Sequence, residues 1–447
     1  MHVIVVGAGE VGSYVAELLT RHGNDVAVIE TDRDRLRDLE DRLDVLVVEG
    51  SGTHPEILAR AGLDRAELLV AVTSNDEVNL IAALLARHAG VARTVVRIEA
   101  EELRGKAAQQ LRDAIGADLV IDPDAETAAD ILDLLDAPGA TEIAHLAGGE
   151  VVVVGTILQA GAPLCGRRLS EIAAEYEPDW DFLVAARTRS GETVIPRKDE
   201  LLQPDDHLWV VAKRKARRDV LQLLGLRRGT HRRVMLLGGG RTGEIVARRL
   251  AARSGSVTLV ERNPDRAQRL AESLDGVLVI QGDITDAELL AREDAGSYDA
   301  VVALTGHDDA NILSCLYAKS LGATETIATL HRLALRELLE EVGIDAALSP
   351  RTASANGVLR FVRGGVAAVA TFLAADFEVI ELEVGPDSPA DGATICDLGL
   401  PKDALIGAFV RDGKAQIGRG RSELRQRDHV VLFVRPPNVD AVRRLFA

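Results

Sequence analysis

The sequence predicts an α/β chain built twice over: two tandem, doubly wound parallel sheets, each followed by a crossover helix and a small β-rich α+β module. Three observations predict it. Short apolar runs rich in Val, Ile and Leu (2–6, 25–30, 44–48, 68–73 and 94–98) alternate with amphipathic stretches such as EVGSYVAELLTRHG (10–23) and NDEVNLIAALLARHAG (75–90). That alternation is the pattern of βαβ units whose sheet is covered on both faces. A glycine-rich phrase opens each half: HVIVVGAGEVGSYVAELL (2–19) and RVMLLGGGRTGEIVARRL (233–250). The likeness continues beyond it. Gly7 and Gly238 lie 231 positions apart, as do Glu30 and Glu261; Thr73, Asp76 and Asn79 pair with Thr305, Asp308 and Asn311; LQPDDHLWVV (202–211) pairs with LRQRDHVVLF (424–433). A repeat of this length marks a duplicated unit.

Length and composition bound the rest. A chain of 447 residues has room for roughly three or four domains. Hydrophobic residues make up 47% of it, enough for true cores. The net charge of −18 repels phosphate backbones, so no nucleic-acid partner is expected. Cys165, Cys315 and Cys396 are far apart and form no CxxC pair; they read as buried free thiols in a reducing compartment, without a disulfide framework or zinc site. The chain opens directly on a strand, with no secretory leader and no apolar run of about 18 residues, so a soluble cytoplasmic protein is expected.

The elements follow in order. The first sheet occupies 1–122, closed by the strand DLVID (118–122). A helical stretch, DAETAADILDLLDAPGA (124–140), lies within a crossover segment at 123–140, and a β-rich module spans 141–213 with strands EVVVVGTIL, FLVAART, ETVIP and DHLWVVA. The turns RSGE and QPDD separate strands of this module. The basic linker, about 214–231 within KRKARRDVLQLLGLRRGTHRR, reads as a solvated helix and loop, with contact to anionic lipid or to a membrane partner as the alternative. The second sheet takes 232–349, a second crossover helix 350–375, and the second module 376–447 with FEVIELEV, ALIGAFVRDGKAQIG and DHVVLFVR. Leu359, Val362, Val366, Val369, Ala370 and Leu373 line one face of the stretch 358–377, which reads as a core or dimer-interface helix rather than one lying on a membrane.

The glycine phrase is G-x-G-x-x-G. The first glycine makes the tight strand-to-helix turn, the second lets a pyrophosphate approach the backbone, and the third lets helix pack on strand. The helix N-terminus then faces the phosphates with free N–H groups. A lone match is weak, but here each copy follows a strand, opens a helix and has an acidic residue about 20 positions on, at Glu30 and Glu261. This is the Rossmann arrangement. A carboxylate there bonds ribose hydroxyls and repels a 2′-phosphate, favouring NAD over NADP. Other strand ends should complete each pocket: Gly50, Ser51, Thr73, Ser74 and Arg97 in the first copy, Gly282, Asp283, Thr305 and Thr329 in the second. Arg97 reads either as a phosphate contact or as a surface salt bridge; Thr329 cannot supply its charge.

Reaction chemistry is not visible. No P-loop GK[ST], HExxH or GxSxG occurs, and the ten His residues form no repeated constellation. His207 and His429 occupy equivalent DH positions and read as turn residues before a strand. An NAD-dependent oxidoreductase remains the alternative, opposed by the lack of a domain to hold a substrate against the nicotinamide.

The order of dinucleotide fold, crossover helix and small β module, repeated, resembles the tandem RCK (regulator of potassium conductance) subunits of Trk-type potassium uptake systems. The resemblance rests on VVGAGEVGSYVAELL, VIETD, VEGSGTHPEIL, AVTSNDEVNLIAALLA and DAPGATEIAHLAGGEVVVV, and on LLGGGRTGEIVARRL through LTGHDDANILSCLYAKSLGA; it covers essentially the whole chain. It implies a non-enzymatic regulatory subunit, peripheral on the inner face of the plasma membrane. It implies assembly into a homotetrameric ring, with dimers as one building block, beneath a potassium-translocating membrane protein. It implies NAD or NADH as ligand, with ATP or ADP as further candidates, particularly at the second site, and no metal. Carried over, the first site comprises Gly7, Ala8, Gly9, Glu10, Val11, Gly12, Glu30, Thr31, Asp32, Gly50, Ser51, Thr73, Ser74 and Arg97. The second comprises Gly238, Gly239, Gly240, Arg241, Thr242, Gly243, Glu261, Arg262, Asp283 and Thr305. The second copy departs from the first at His307 and Ala310, where the first has Asn75 and Val78. An RCK regulator of another cation transporter is the remaining reading.

Overall fold

The computed structural model describes residues 1–21, 23–100, 114–226, 233–253, 255–332, 335, 339, 342–362, 366–371 and 377–447. They group into two compact units, Met1–Thr127 with Pro350–Arg363, and Ala128–Ser349 with Gly364–Ala447.

In the first unit six parallel strands stand in the order β3-β2-β1-β4-β5-β6. They are β1 His2–Val6, β2 Asp25–Glu30, β3 Leu46–Glu49, β4 Leu68–Ala71, β5 Arg93–Arg97 and β6 Leu119–Ile121. All five residues of β1 are buried, which only a central strand covered on both faces permits. Its Val3 stands opposite Val26 on one side and Leu68 on the other. Helices α1 (Glu10–Arg21), α2 (Arg33–Arg42), α3 (Pro55–Arg60) and α4 (Asp76–His88) connect the strands. Ile4, Val6, Ile29, Leu58, Leu69 and Ala82 form one core between layers. The chain leaves β1 toward β2 and β3, then crosses back to β4. The strand order therefore reverses between β1 and β4, and a crevice opens at their carboxyl ends.

The helix Pro350–Val362, from the second half of the chain, completes this unit by packing against α1. Its Ala355 and Val358 are buried. A Cβ on its Gly357 would come 3.5 Å from Ile121 and 3.4 Å from Glu126. The crossover helix of the second half thus serves the sheet of the first.

The converse holds in the second unit. Of the helix α5 (Pro123–Leu135), residues Ala128, Ile131, Leu132 and Leu135 share a core with Val234, Leu236, Val246 and Ala247 of the second sheet. That sheet has the order β14-β13-β12-β15-β16-β17, with β12 Arg233–Leu237, β13 Ser256–Glu261, β14 Val277–Gln281, β15 Ala300–Ala303, β16 Glu325–Thr329 and β17 Ala346–Leu348. It repeats the first strand for strand.

The small modules are two five-stranded antiparallel sheets. One runs β10-β9-β11-β8-β7, with β7 Glu142–Leu146, β8 Val151–Ile157, β9 Phe182–Arg189, β10 Glu192–Val194 and β11 His207–Lys213. The other runs β18-β19-β22-β20-β21, with β18 Val366–Thr371, β19 Glu378–Glu383, β20 Ala404–Arg411, β21 Lys414–Ile417 and β22 His429–Val434. Each has a two-residue hairpin, Ser190–Gly191 and Asp412–Gly413, in which both residues have positive φ, as a type I′ turn needs. Val153, Trp209 and Val211 of one sheet and Val379, Val431 and Phe433 of the other share a core.

Three expectations are corrected. The helix expected over 350–375 is helical over Pro350–Val362, whereas Val366–Thr371 is a strand paired with β19; positions 363–365 and 372–375 of that expectation lie outside the described residues. A short Val/Ala run reads equally as strand or helix. The basic linker is not merely solvated: Arg217–Leu223 is a helix whose Val220 and Leu221, with Leu224 beyond it, enter the core of the second unit. The cysteines are not all buried either. Cys315 is fully enclosed, its thiol pushed up to about 12 by burial, whereas Cys396 is exposed. Among the described residues no helix is long and apolar enough to cross a membrane.

Candidate functional site

Each sheet ends in the same construction. Gly7 leaves β1 with φ +102°, and its N–H donates to the carbonyl of Ile29 at 2.8 Å. A side chain on Gly7 would press on Thr73 at 3.0 Å, and a Cβ on Gly12 would fall 1.9 Å from the Gly7 carbonyl oxygen. The second copy matches: Gly238 has φ +121°, and a Cβ on Gly243 would lie 2.1 Å from the Gly238 oxygen. The middle glycines differ. A Cβ on Gly9 would meet only Arg35 Nη1 at 3.7 Å, and one on Gly240 nothing within 4 Å. The protein itself needs the first and third glycines; the second keeps clear a space outside the helix N-terminus, where a phosphate would approach.

Glu30 and Glu261 brace these loops. The Glu30 carboxylate accepts from Ala8 N at 2.7 Å through one oxygen, and from Thr31 N, Thr31 Oγ1 and Asp32 N through the other. Burial pushes its carboxyl up, but the hydrogen bonds from Ala8, Asp32 and Thr31 outweigh that and hold it below its ordinary value. Glu261 accepts from Gly239 N at 2.9 Å and from Asn263 N at 2.7 Å. Each acid therefore stands beside its loop, oriented by backbone donors.

The repeated Thr-Asp-Asn phrase is a strut. Asn79, fully buried on α4, accepts from Thr73 N at 2.9 Å and Thr73 Oγ1 at 2.7 Å, and donates to the carbonyls of Thr73 and Arg97. It ties the ends of β4 and β5 together. Asn311 does the same for Thr305 and Thr329. Asp76 accepts from the backbone N–H groups of Glu99 and Ala100, and Asp308 from those of His331 and Arg332. Replacing Asn79 by Ala strands one buried donor and two carbonyls, so we expect a stability loss of about 2–4 kcal/mol. A denaturant titration followed by circular dichroism measures it; a loss under about 0.5 kcal/mol, the scale of a neutral surface change, contradicts the strut.

The remaining candidates divide. Thr73 and Thr305 spend their hydroxyl donors on the asparagines, so they shape the crevice rather than stand free. Arg97 is engaged by Glu99, which is the salt-bridge reading of that residue. Ser51 bonds Thr53 at 2.9 Å, while Gly50 turns with φ +149° against Ile57. Asp283 accepts from Thr285 N and Oγ1, which hold its carboxyl below the ordinary value, and Arg262 lies 3.9 Å from it. Ser74 is exposed, Val11 buried. The DH histidines serve the fold: His207 bonds Thr141 and stacks on Trp209, and His429 bonds Glu381.

Two arginines beside the loops were missed, although they share the 231 spacing. Arg35 Nη1 lies 4.0 Å from Glu30. Arg266 is locked in place, its Nε donating to the Gly239 carbonyl at 2.9 Å and its Nη2 to Glu244. A cavity of about 450 Å³ in the second unit lies away from these loops, beside the starts of β16 and β17. Its charged groups already have partners within the protein, Lys319 pairing with Asp345 and Glu325 accepting from Gly139 N, so it is the poorer candidate despite its volume.

Two Rossmann sheets, each with a glycine loop, a braced acid and an open second glycine, define a tandem dinucleotide-fold protein. Residues 3–123 and 234–350 match the TrkA-N domain, and residues 148–225 and 379–447 match the TrkA-C domain. The Trk system potassium uptake protein TrkA of Vibrio alginolyticus is 36% identical over 453 residues, covering 100% of this chain and 98% of that one. The chain belongs to the TrkA family. Among solved structures, the GsuK channel bound to NAD is similar with a TM-score of 0.63 at 17% identity, covering 100% of this chain and 78% of that one. GsuK bound to ADP is similar with a TM-score of 0.52 at 15% identity, covering 81% and 69%. At these identities the likeness is one of fold.

Proposed function

We propose that the chain is a nucleotide-sensing regulatory subunit of a Trk-type potassium uptake system, and not an enzyme. It binds NAD or NADH at the first glycine loop and a second nucleotide at the other, with ATP or ADP as candidates there. It acts from the cytoplasmic face of the membrane, as a homotetrameric ring on a potassium-translocating partner. The observation that carries this reading is the pair of loops whose middle glycine alone is unconstrained by the protein. End-to-end similarity to a protein named for potassium uptake supports the system. The NAD- and ADP-bound GsuK structures, alike in fold, support the ligand class. The second loop carries Arg241 and Arg262 where the first has Glu10 and Thr31, which favours a more highly charged phosphate chain there. Among the described residues each sheet leads through a crossover helix into a small five-stranded module rather than into a larger domain of the kind that would hold a carbonyl substrate.

Calorimetric titration of the full-length chain tests the ligand. NADH should bind the first site about tenfold or more tighter than NADPH, because ionised Glu30 meets the 2′-phosphate. Equal or tighter NADPH binding overturns the assignment of that site.

A further inference from the structure

The first glycine loop carries an acid where a phosphate ligand wants a base. Glu10 is the first residue of α1, directly after Gly9. Its carboxylate sits in the positive end of the helix dipole, the field a pyrophosphate would use. The second loop has Arg241 at this position. In the first unit the opposing charge comes from elsewhere in the chain. Arg351, the second residue of the helix Pro350–Val362, places Nη2 3.1 Å from Glu10 Oε1. The guanidinium is largely covered, with 24% of the side chain exposed, while Glu10 is 46% exposed. Arg351 Nε is buried and has no hydrogen-bond partner among the described residues. A planar fork of five donors thus stands beside the phosphate approach, and Glu10 is its one ion-pair partner among the described residues.

We infer that Arg351 is a residue of the first nucleotide site. It is held by Glu10 when the site is empty, and is shared with or passed to the ligand's phosphate when the site fills. The site of the first half is then read by the crossover helix of the second half. Filling it changes what anchors that helix to α1, which is a differential contact of the kind that couples ligand to conformation. This inference rests on the reading that the Gly7–Gly12 loop binds a nucleotide.

The test uses the full-length chain in a Gly240→Val background, so that binding reports on the first site. NADH, ADP and adenosine are titrated into that protein and into Arg351→Gln, Arg351→Lys and Glu10→Gln made in it. Arg351→Gln should weaken NADH and ADP by about three- to fivefold, the scale of one charge pair at a half-open site, and leave adenosine unchanged. Arg351→Lys should restore most of the loss, and Glu10→Gln should tighten NADH. Arg351→Gln binding NADH as tightly as its parent overturns the inference, as does a loss shared equally by adenosine, which would mean a structural role. Unaltered NADH binding after a further Gly9→Val change is a different outcome: it places the nucleotide elsewhere and overturns both the loop reading and the role of Arg351.

Discussion

Replacing Gly9 by Val should abolish nucleotide binding in the first half and leave the chain folded. The two parts of that expectation have separate causes. A Cβ on Gly9 would meet one atom within 4 Å, the mobile end of Arg35, so the new side chain displaces nothing rigid. The space it enters is the one through which a pyrophosphate reaches the N–H groups of α1. Those donors lose their ligand, and a loss of about 100-fold or more in affinity is expected from excluding two charge-assisted phosphate contacts. Calorimetry and thermal melting on one preparation read both halves. Normal binding by Gly9→Val would make the glycine phrase a turn and nothing more.

Three residues on, the same kind of change should act in the opposite way. Replacing Gly12 by Ala puts a Cβ 1.9 Å from the carbonyl oxygen of Gly7, where van der Waals contact needs far more. The oxygen is backbone and the Cβ position is fixed by backbone, so no rotamer change relieves the overlap, and α1 must move off β1. A loss of about 3 kcal/mol or more follows, at the upper end of overpacking costs. Gly243→Ala should behave alike in the second unit, where the corresponding distance is 2.1 Å. Far-ultraviolet circular dichroism against denaturant measures the change, and a melting curve like that of the parent would refute close helix–strand packing as the reason for the third glycine.

Much of this was legible in the residues. Four consecutive apolar residues, Val3–Val6 and Val234–Leu237, each run followed at once by glycine, leave little choice but a central strand. The turn at RSGE was legible from its residues, and Ser190 and Gly191 bear the positive φ of a two-residue hairpin, which Asp412 and Gly413 repeat in the second module. The Thr-Asp-Asn phrase stood out because it repeats, although its service as a strut between strand ends appears only once Asn79 is seen reaching Arg97. Other features were not legible. An apolar helix face says that a helix is buried and not against what, so the exchange that brings Pro350–Val362 to α1 leaves no mark in periodicity. Glu142–Leu146 reads as polar because of Glu142 and His145, yet it is an edge strand paired with β8, with Glu142 buried and accepting from Trp209 Nε1, a burial set by tertiary structure. Glu30 could be found by spacing, but its bonds to Ala8 and Thr31 could not.

Potassium flux and NADH absorbance, followed together in vesicles that carry the membrane partner and this protein, decide between sensing and chemistry. Flux should change when NADH or NAD is added while the absorbance of NADH stays constant, and the response should weaken in Gly9→Val or Gly240→Val. Flux indifferent to every nucleotide, or steady consumption of NADH with a simple aldehyde, ketone or keto acid, would contradict a regulator that reads nucleotides without transforming them.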